Sequence, residues 1–190
     1  MAFIRRTSDI KQHHAITKIL LDVPNGGTIA ISELTQNTLA EGLPVSLGAD
    51  GLYHVVKTAT ISTSADSDAT TYVVEKGHNL KVGDVVMFKT GGKAYAITAI
   101  ATNSTNSTND DITIGTTLGA AKAGDVLIEA SKAGASGSDF KYKPTGLLAY
   151  SIDVKPNATI GIMVAGQIYQ SKCQNLGAVA GALPLIHVLN

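Results

Sequence analysis

Two apolar runs with a period of two, joined by a turn, occupy Lys141 to Tyr169 of this 190-residue chain (KYKPTGLLAYSIDVKPNATIGIMVAGQIY) and commit that region to antiparallel sheet. From Gly146 to Val154, Leu148, Tyr150, Ile152 and Val154 fall on one face, with Leu147, Ala149, Ser151 and Asp153 on the other. Lys155-Pro156-Asn157 interrupts the run. Proline has no N–H for a ladder and Asn tolerates turn geometry, so the chain must reverse there. The second run, Ala158 to Tyr169, sets Ile160, Ile162, Val164 and Ile168 against the small residues Gly161, Ala165 and Gly166. The spacing predicts a hairpin.

Shorter strand signals precede it. Ile16 to Val23 is an apolar strand-like run, followed by the turn signal Pro24-Asn25-Gly26-Gly27. Ile29 and Ile31 alternate with small polar residues, and Leu52 to Thr60 reads as a further strand carrying His54 among aliphatics. Composition shifts to Ser, Thr, Ala and Asp at Ser62–Thr71, and again to Ser, Gly and Ala at Ser131–Asp139, marking linkers around an insertion. Inside it lie two related half-patterns, Thr70–Phe88 and Asp111–Ala130, each ending in a Gly-Asp-Val-hydrophobic turn and strand, at Gly83-Asp84-Val85-Val86 and Gly124-Asp125-Val126-Leu127. In such a turn Gly supplies the positive-φ position and Asp binds nearby backbone N–H groups. The fold expected is mainly β: a small barrel or sandwich base (15–61 plus 140–190), an inserted second β domain (62–139) and an extended N-terminal arm (1–14).

Charge and chemistry narrow the function. Basic and acidic residues balance at 15 each, which offers no electrostatic footprint for nucleic acid, and no run approaches a membrane span. The single Cys173 allows no intrachain disulfide and fits assembly in a reducing cytoplasm. Only 16% of residues are charged, a surface suited to lying against other protein copies. The five histidines are scattered, His13 and His14 point to different faces of a strand, and no nucleophile elbow or convergent carboxylate pair is present. His54 therefore reads as a packed or surface strand residue, and the chain as no enzyme. Asp66, Asp68, Asp110 and Asp111 offer oxygen ligands of the calcium-binding type, but after Asp66 the sixth and twelfth positions hold Thr71 and Gly77 instead of the Gly and Glu of an EF-hand. GHNLKVGDVV lacks the following helix of a phosphate loop and reads as a β-turn. No cofactor or metal is expected.

Both ends of the chain are candidate binding segments. Extended, Met1 to His14 would reach about 45 Å at ~3.3 Å per residue. Phe3 and Ile4 are candidate anchors, and Arg5 and Arg6 are suited to carboxylates on a neighbouring protein; the alternative is a frayed terminus. The tail, Cys173 to Asn190, contains no Asp, Glu, Lys or Arg. Leu183, Leu185 and Ile186 either meet a partner or pack back on the chain's own base.

The order Gly146-Leu147-Leu148, alternating strand, Asp153-Val154, turn, apolar strand, Gly166-Gln167-Ile168-Tyr169 resembles the closing hairpin of phage head decoration and head fibre proteins. The likeness extends more loosely to Ala40–Ala59 and to GHNLKVGDV at Gly77–Val85, which in that family belongs to an outward-facing β module. Lys172-Cys173 departs from the Leu-Pro that family members often carry after the hairpin. The resemblance implies a virion protein, made in the host cytoplasm and carried on the outer surface of the phage head, that binds major capsid protein as a homotrimer. The alternative class is a tail- or surface-associated adhesion module that binds a host receptor or glycan.

Overall fold

The structure is a computed structural model that describes residues 14–173 and 175–189. It is mainly β, with 42% of residues in strands against 7% in helix, in several sheets with no closed barrel. The strands are β1 (Ile16–Asp22), β2 (Gly27–Thr28), β3 (Thr38–Leu39), β4 (Pro44–Leu47), β5 (Tyr53–Val55), β6 (Thr58–Thr60), β7 (Thr71–Glu75) and β8 (Val85–Met87), then β9 (Ala94–Thr102), β10 (Asn109–Ile114), β11 (Val126–Glu129), β12 (Gly146–Leu148), β13 (Ile152–Asp153), β14 (Thr159–Ile160), β15 (Ile162–Tyr169) and β16 (Ile186–Leu189). A short α-helix, α1 (Leu176–Val179), lies between the last two with a 3-10 turn on either side, Gln170–Lys172 and Ala180–Ala182. Of the two larger sheets, one runs β1-β15-β12-β4-β5, with β16 parallel to β15, and the other runs β6-β11-β8-β9-β10-β7; β13-β3 and β14-β2 form two small ones.

The predicted hairpin is present as β12 against β15, pairing Leu147 with Met163 and Leu148 with Ile162. Each of its two runs is nevertheless broken. After β12 the chain leaves the sheet, and β13 pairs with β3; before β15, β14 pairs with β2. Strict alternation fails for a physical reason: β12 is covered on both faces, so Leu147 and Leu148 are both buried, while Tyr150, expected inside, is 61% exposed beyond the break. Gly166 is required by close approach, since a Cβ there would run into the Lys18 carbonyl of β1 and the Met163 sulfur.

The run Leu52–Thr60 also divides, because it crosses from one sheet to the other between β5 and β6. Thr58–Thr60 pairs with β11, so the second sheet begins ahead of the boundary expected at 62. Within that sheet the two half-patterns are repeated units. Gly83 and Gly124 adopt φ values of 95° and 94°, and Asp84 and Asp125 each accept the backbone N–H three residues earlier, from Lys81 at 2.9 Å and Lys122 at 2.8 Å. The units exchange partners. Ile61, after β6, brackets the second turn through Ile61 N–H to Asp125 O and Gly124 N–H to Ile61 O; Ile97, in β9, brackets the first through Ile97 N–H to Asp84 O and Gly83 N–H to Ile97 O. A bridge between Ile61 and Val74 brings the sheet's two ends together without a continuous ladder between β6 and β7, so it curls around its core without closing.

Three apolar clusters hold the molecule. One lies inside the curled sheet and includes Ile61, Tyr72, Val86, Ile97, Ile112 and Leu127; another lies beneath the first sheet around Leu39, Val45, Leu148 and Ile160. The third is shared: Met87, Ala94, Ile128 and Ala130 of the second sheet pack with Leu147, Met163, Ile168 and Leu176. Replacing 62–139 by a short Gly/Ser link therefore strips Met87, Ala94, Ile128 and Ala130 from this shared core. The shortened chain is expected to lose its sharp urea transition and to bind a dye for exposed apolar surface. Met87→Ala in the full chain should cost about 2–5 kcal/mol. A shortened chain that unfolds as sharply as the full one would refute the shared core.

Candidate functional site

Phe3, Ile4, Arg5 and Arg6 lie outside the described residues. In the tail, Leu183 and Ile186 are buried in the shared cluster, and only Leu185 projects, at 60% exposure. This corrects the reading of Leu183 and Ile186 as partner contacts. The tail lacks charge because it covers the chain's own interior, with Leu176 and Val179 of α1 fully inside.

An apolar surface does exist, along β1. This strand pairs with β15 and has no strand on its other side among the described residues. Register shifts after Ile19 and after Leu21 break its alternation, leaving Leu20 and Leu21 62% and 54% exposed. Glu41 fixes where the strand starts: its Oε1 accepts the Ile16 N–H at 2.6 Å, and its Oε2 lies 2.9 Å from His14 Nδ1. Beside it, Ile16, Ile19, Ala149 and Tyr150 line a cleft of about 260 Å³. Cys173 is held inert nearby, its thiol pushed up to about 11 by burial and by the Glu41 charge.

Between the sheets lies a second, polar constellation. Lys57 enters on the outward crossing, and Lys141 and Tyr142 on the return. Glu129, at the end of β11, joins the two crossings: its N–H donates to Lys57 O at 3.0 Å, and its carbonyl accepts the Lys141 N–H at 3.2 Å. Its side chain takes both lysines on Oε1, Lys141 Nζ at 2.8 Å and Lys57 Nζ at 3.3 Å, and Lys57 also reaches Asp84 Oδ2 at 2.8 Å. Tyr142 donates its hydroxyl to Glu33 Oε1 at 2.9 Å and stacks on the His54 ring at a centroid distance of 4.0 Å. His54 lies 2.9 Å from Glu33 through Nδ1 and 3.1 Å from Asp50 through Nε2. At the far end Asn79 Oδ1 accepts the N–H groups of Thr35 and Gln36, tying the GHN turn to the base.

Burial pushes the Glu129 carboxyl up against the pull of the two lysines. For Glu33 the burial penalty is outweighed by hydrogen bonds from His54 and Tyr142, which hold it below the usual carboxylate value. Tyr142 is pushed up to about 12 by burial and by its bond to Glu33. His78, buried with its Nε2 unbonded, is lowered by desolvation despite Asp110 at 3.5 Å.

Other candidates do not converge on a site. Asp110 faces Lys76 and His78, while Asn103 donates to Asp111 at 2.7 Å. Among the described residues no group of three or more His, Cys, Asp or Glu side chains is placed to hold a metal ion. A groove of about 800 Å³ between Phe88, Phe140, Val179 and Pro184 carries Lys89 and Lys143 at its rim. Sequence reasoning missed the Lys57–Glu129–Lys141 cluster, whose available signal was a lone acid inside Val126-Leu127-Ile128-Glu129-Ala130 and a lone base inside Val55-Val56-Lys57-Thr58-Ala59. In comparison with known proteins, no family model matches the chain, nor does any curated protein or any solved structure.

The His54 assembly sets a pH dependence. Desolvation opposes its charge, but Glu33 and Asp50 outweigh it and raise its pKa above the ordinary 6.5. Stability from charged His54 is therefore complete below that ordinary value and lost as pH rises through the raised one, whereas Glu33's contribution is lost as pH falls below its own ordinary value of 4.5. The urea midpoint of the full chain should fall as pH rises through the neutral range, and His54→Gln should flatten that fall. An unchanged slope in the variant would assign the dependence elsewhere.

Proposed function

We propose that the chain is a non-enzymatic structural protein of a phage virion, which decorates the outer face of the head by binding major capsid protein. The observation that carries this reading is the outer edge of β1, which has no partner strand among the described residues, with Leu20 and Leu21 exposed beside the cleft at Ile16, Ile19 and Tyr150. A strand edge offers its main-chain donors and acceptors to a strand from another protein; charge on this one is limited to Lys18 and Asp22, and its register shifts turn Leu20 and Leu21 outward as apolar contacts. The resemblance supports the reading from another side. Gly146–Tyr169, the stretch similar to the closing hairpin of decoration and head fibre proteins, supplies β12 and β15, and β15 is the strand that holds β1.

In this reading the first sheet faces the shell and the curled sheet projects outward. Three copies around a threefold position bury apolar surface in a closed ring without open-ended growth. The arm, whose Phe3, Ile4, Arg5 and Arg6 suit a shell contact, precedes His14 at the mouth of the cleft.

Co-sedimentation of the purified chain with undecorated heads tests the proposal. Saturable binding is expected, with Leu20→Asp plus Leu21→Asp weakening it by about tenfold or more, some 1.4 kcal/mol per tenfold. Both positions are exposed, so the variant should keep the wild-type urea midpoint. No binding to heads, together with binding to cells or glycans alone, would replace this reading with the adhesion one.

A further inference from the structure

Lys57 is a buried amine held against a carboxyl group. Its side chain is 2% exposed, with Nζ 2.8 Å from Asp84 Oδ2 and 3.3 Å from Glu129 Oε1. Glu129 is equally buried, and its second oxygen has no hydrogen-bond partner among the described residues. Among the described residues the only other charged side chain bonded to Glu129 is Lys141, on the oxygen already shared with Lys57. The remaining polar contact on Asp84 is the Lys81 backbone N–H, on Oδ2.

The internal repeat provides a comparison within the same molecule. Thr58 pairs with Ile128 as Ala94 pairs with Met87, and Val126 pairs with Thr60 as Val85 pairs with Ala96. By that correspondence Lys57, Asp84 and Glu129 have counterparts in Lys93, Asp125 and Phe88. Lys93 and Asp125 are exposed, and a phenylalanine stands where the first set has its acid. The turn aspartate is thus common to both units, as its bond to the local backbone requires. A buried acid beside the lysine occurs in one unit alone. Ion pairs in such a place commonly contribute less than an apolar replacement would, because two charges are stripped of water. Turn formation does not account for Glu129.

We propose that Lys57 and Asp84 are joined by an intramolecular isopeptide bond, formed by the folded chain itself with Glu129 as the proton-transfer residue. The Lys57 ammonium and Asp84 carboxylate become amine and carboxylic acid by proton transfer through Glu129. The Lys57 Nζ lone pair then attacks Asp84 Cγ, forming the N–C bond. Charge developing on Oδ2 meets the Lys81 N–H that already points at it. Glu129 takes a proton from the new nitrogen and delivers it to Oδ1, whose bond to Cγ breaks, and one water leaves. Ammonium and carboxylate thus give one amide and one water, with no oxidant, reductant or other co-reactant. Fixed proximity replaces the activation such a condensation needs in solution. The carboxyl of Glu129, pushed up by burial, suits it to hold and return the proton. Asp84 is the partly exposed member of the set, so the departing water has a way out.

Intact mass of the denatured full-length chain tests this directly. The expected mass is one water below that of the sequence. A tryptic digest should lack cleavage after Lys57 and contain a branched peptide joining Lys57 to Asp84. Lys57→Arg, Asp84→Ala and Glu129→Gln should each show the unreduced mass of their own sequences. A wild-type chain of full sequence mass overturns the proposal. So does a water loss that maps to a cyclic imide at Asp50-Gly51, the sequence most prone to that side reaction. Bond formation at the wild-type rate in Glu129→Gln would remove Glu129 from the mechanism.

Discussion

Glu129 holds the two sheets together by serving both chain crossings at once. The outward crossing passes Lys57 and the return passes Lys141, and the Glu129 backbone bonds to both, donating to one and accepting from the other. Its carboxylate then takes both amines on one oxygen. Backbone groups at a crossing leave their own ladders and need partners if they are not to be buried unpaired. A single residue at the end of β11 supplies those partners, and the apolar cluster around Met87, Ile128, Leu147 and Met163 closes over the place. Truncating the Glu129 side chain would leave both backbone bonds in place but take from Lys141 its 2.8 Å carboxylate partner and leave Lys57 with Asp84 alone.

The curled sheet owes its shape to exchange between its two units. Each Gly-Asp turn is bracketed by the first strand of the other unit, Ile97 on the turn at Gly83 and Ile61 on the turn at Gly124. Neither unit can bury its own apolar face alone, since Val86 and Leu127 lie in one cluster with both isoleucines. The duplication therefore gives one core and one folding unit. The units diverge on their outer face, where Phe88 looks toward a groove and Glu129 toward the crossings. That divergence turns a symmetric sheet into one with a single side fitted to the base.

Legibility in the sequence followed the range of the interaction. Turns are local, so Pro156-Asn157 and the two Gly-Asp pairs were readable; Asn157 does take a positive φ of 58°, like the glycines of the repeats. The hairpin was readable because its strands are neighbours in the chain. Strand length was not: Leu52–Thr60, Gly146–Val154 and Ala158–Tyr169 each read as one run across a change of sheet, since the pattern of residues carries no mark where the hydrogen-bond partner changes. The repeat was seen from its turns onward, but its first strand escaped. Lys57 and Ile61 match Lys93 and Ile97 in spacing, with different residues between, and only the pairing partners show the equivalence. Leu183 and Ile186 were misassigned because a charge-free segment looks the same whether it covers a partner or its own core.

These features bear on how a protein fixed at one edge transmits force. If β1 is the attached strand, as the proposed function has it, a pull enters at β15, which β1 meets along most of its length and which also carries β12 and β16. From there it reaches the curled sheet through the shared cluster, the two crossings and side contacts such as those of Thr35 and Gln36 with Asn79. Antiparallel ladders pulled along their strands share load over many bonds, whereas a crossing offers a few contacts in one place. The two crossings meet at the neck at Lys57 and Lys141, where the polar groups around Glu129 lie beside the shared apolar cluster. Placing Lys57, Glu129 and Lys141 at that neck adds directional hydrogen bonds and ion pairs to the apolar packing that closes over it, so load crossing between the sheets meets both kinds of contact in one place.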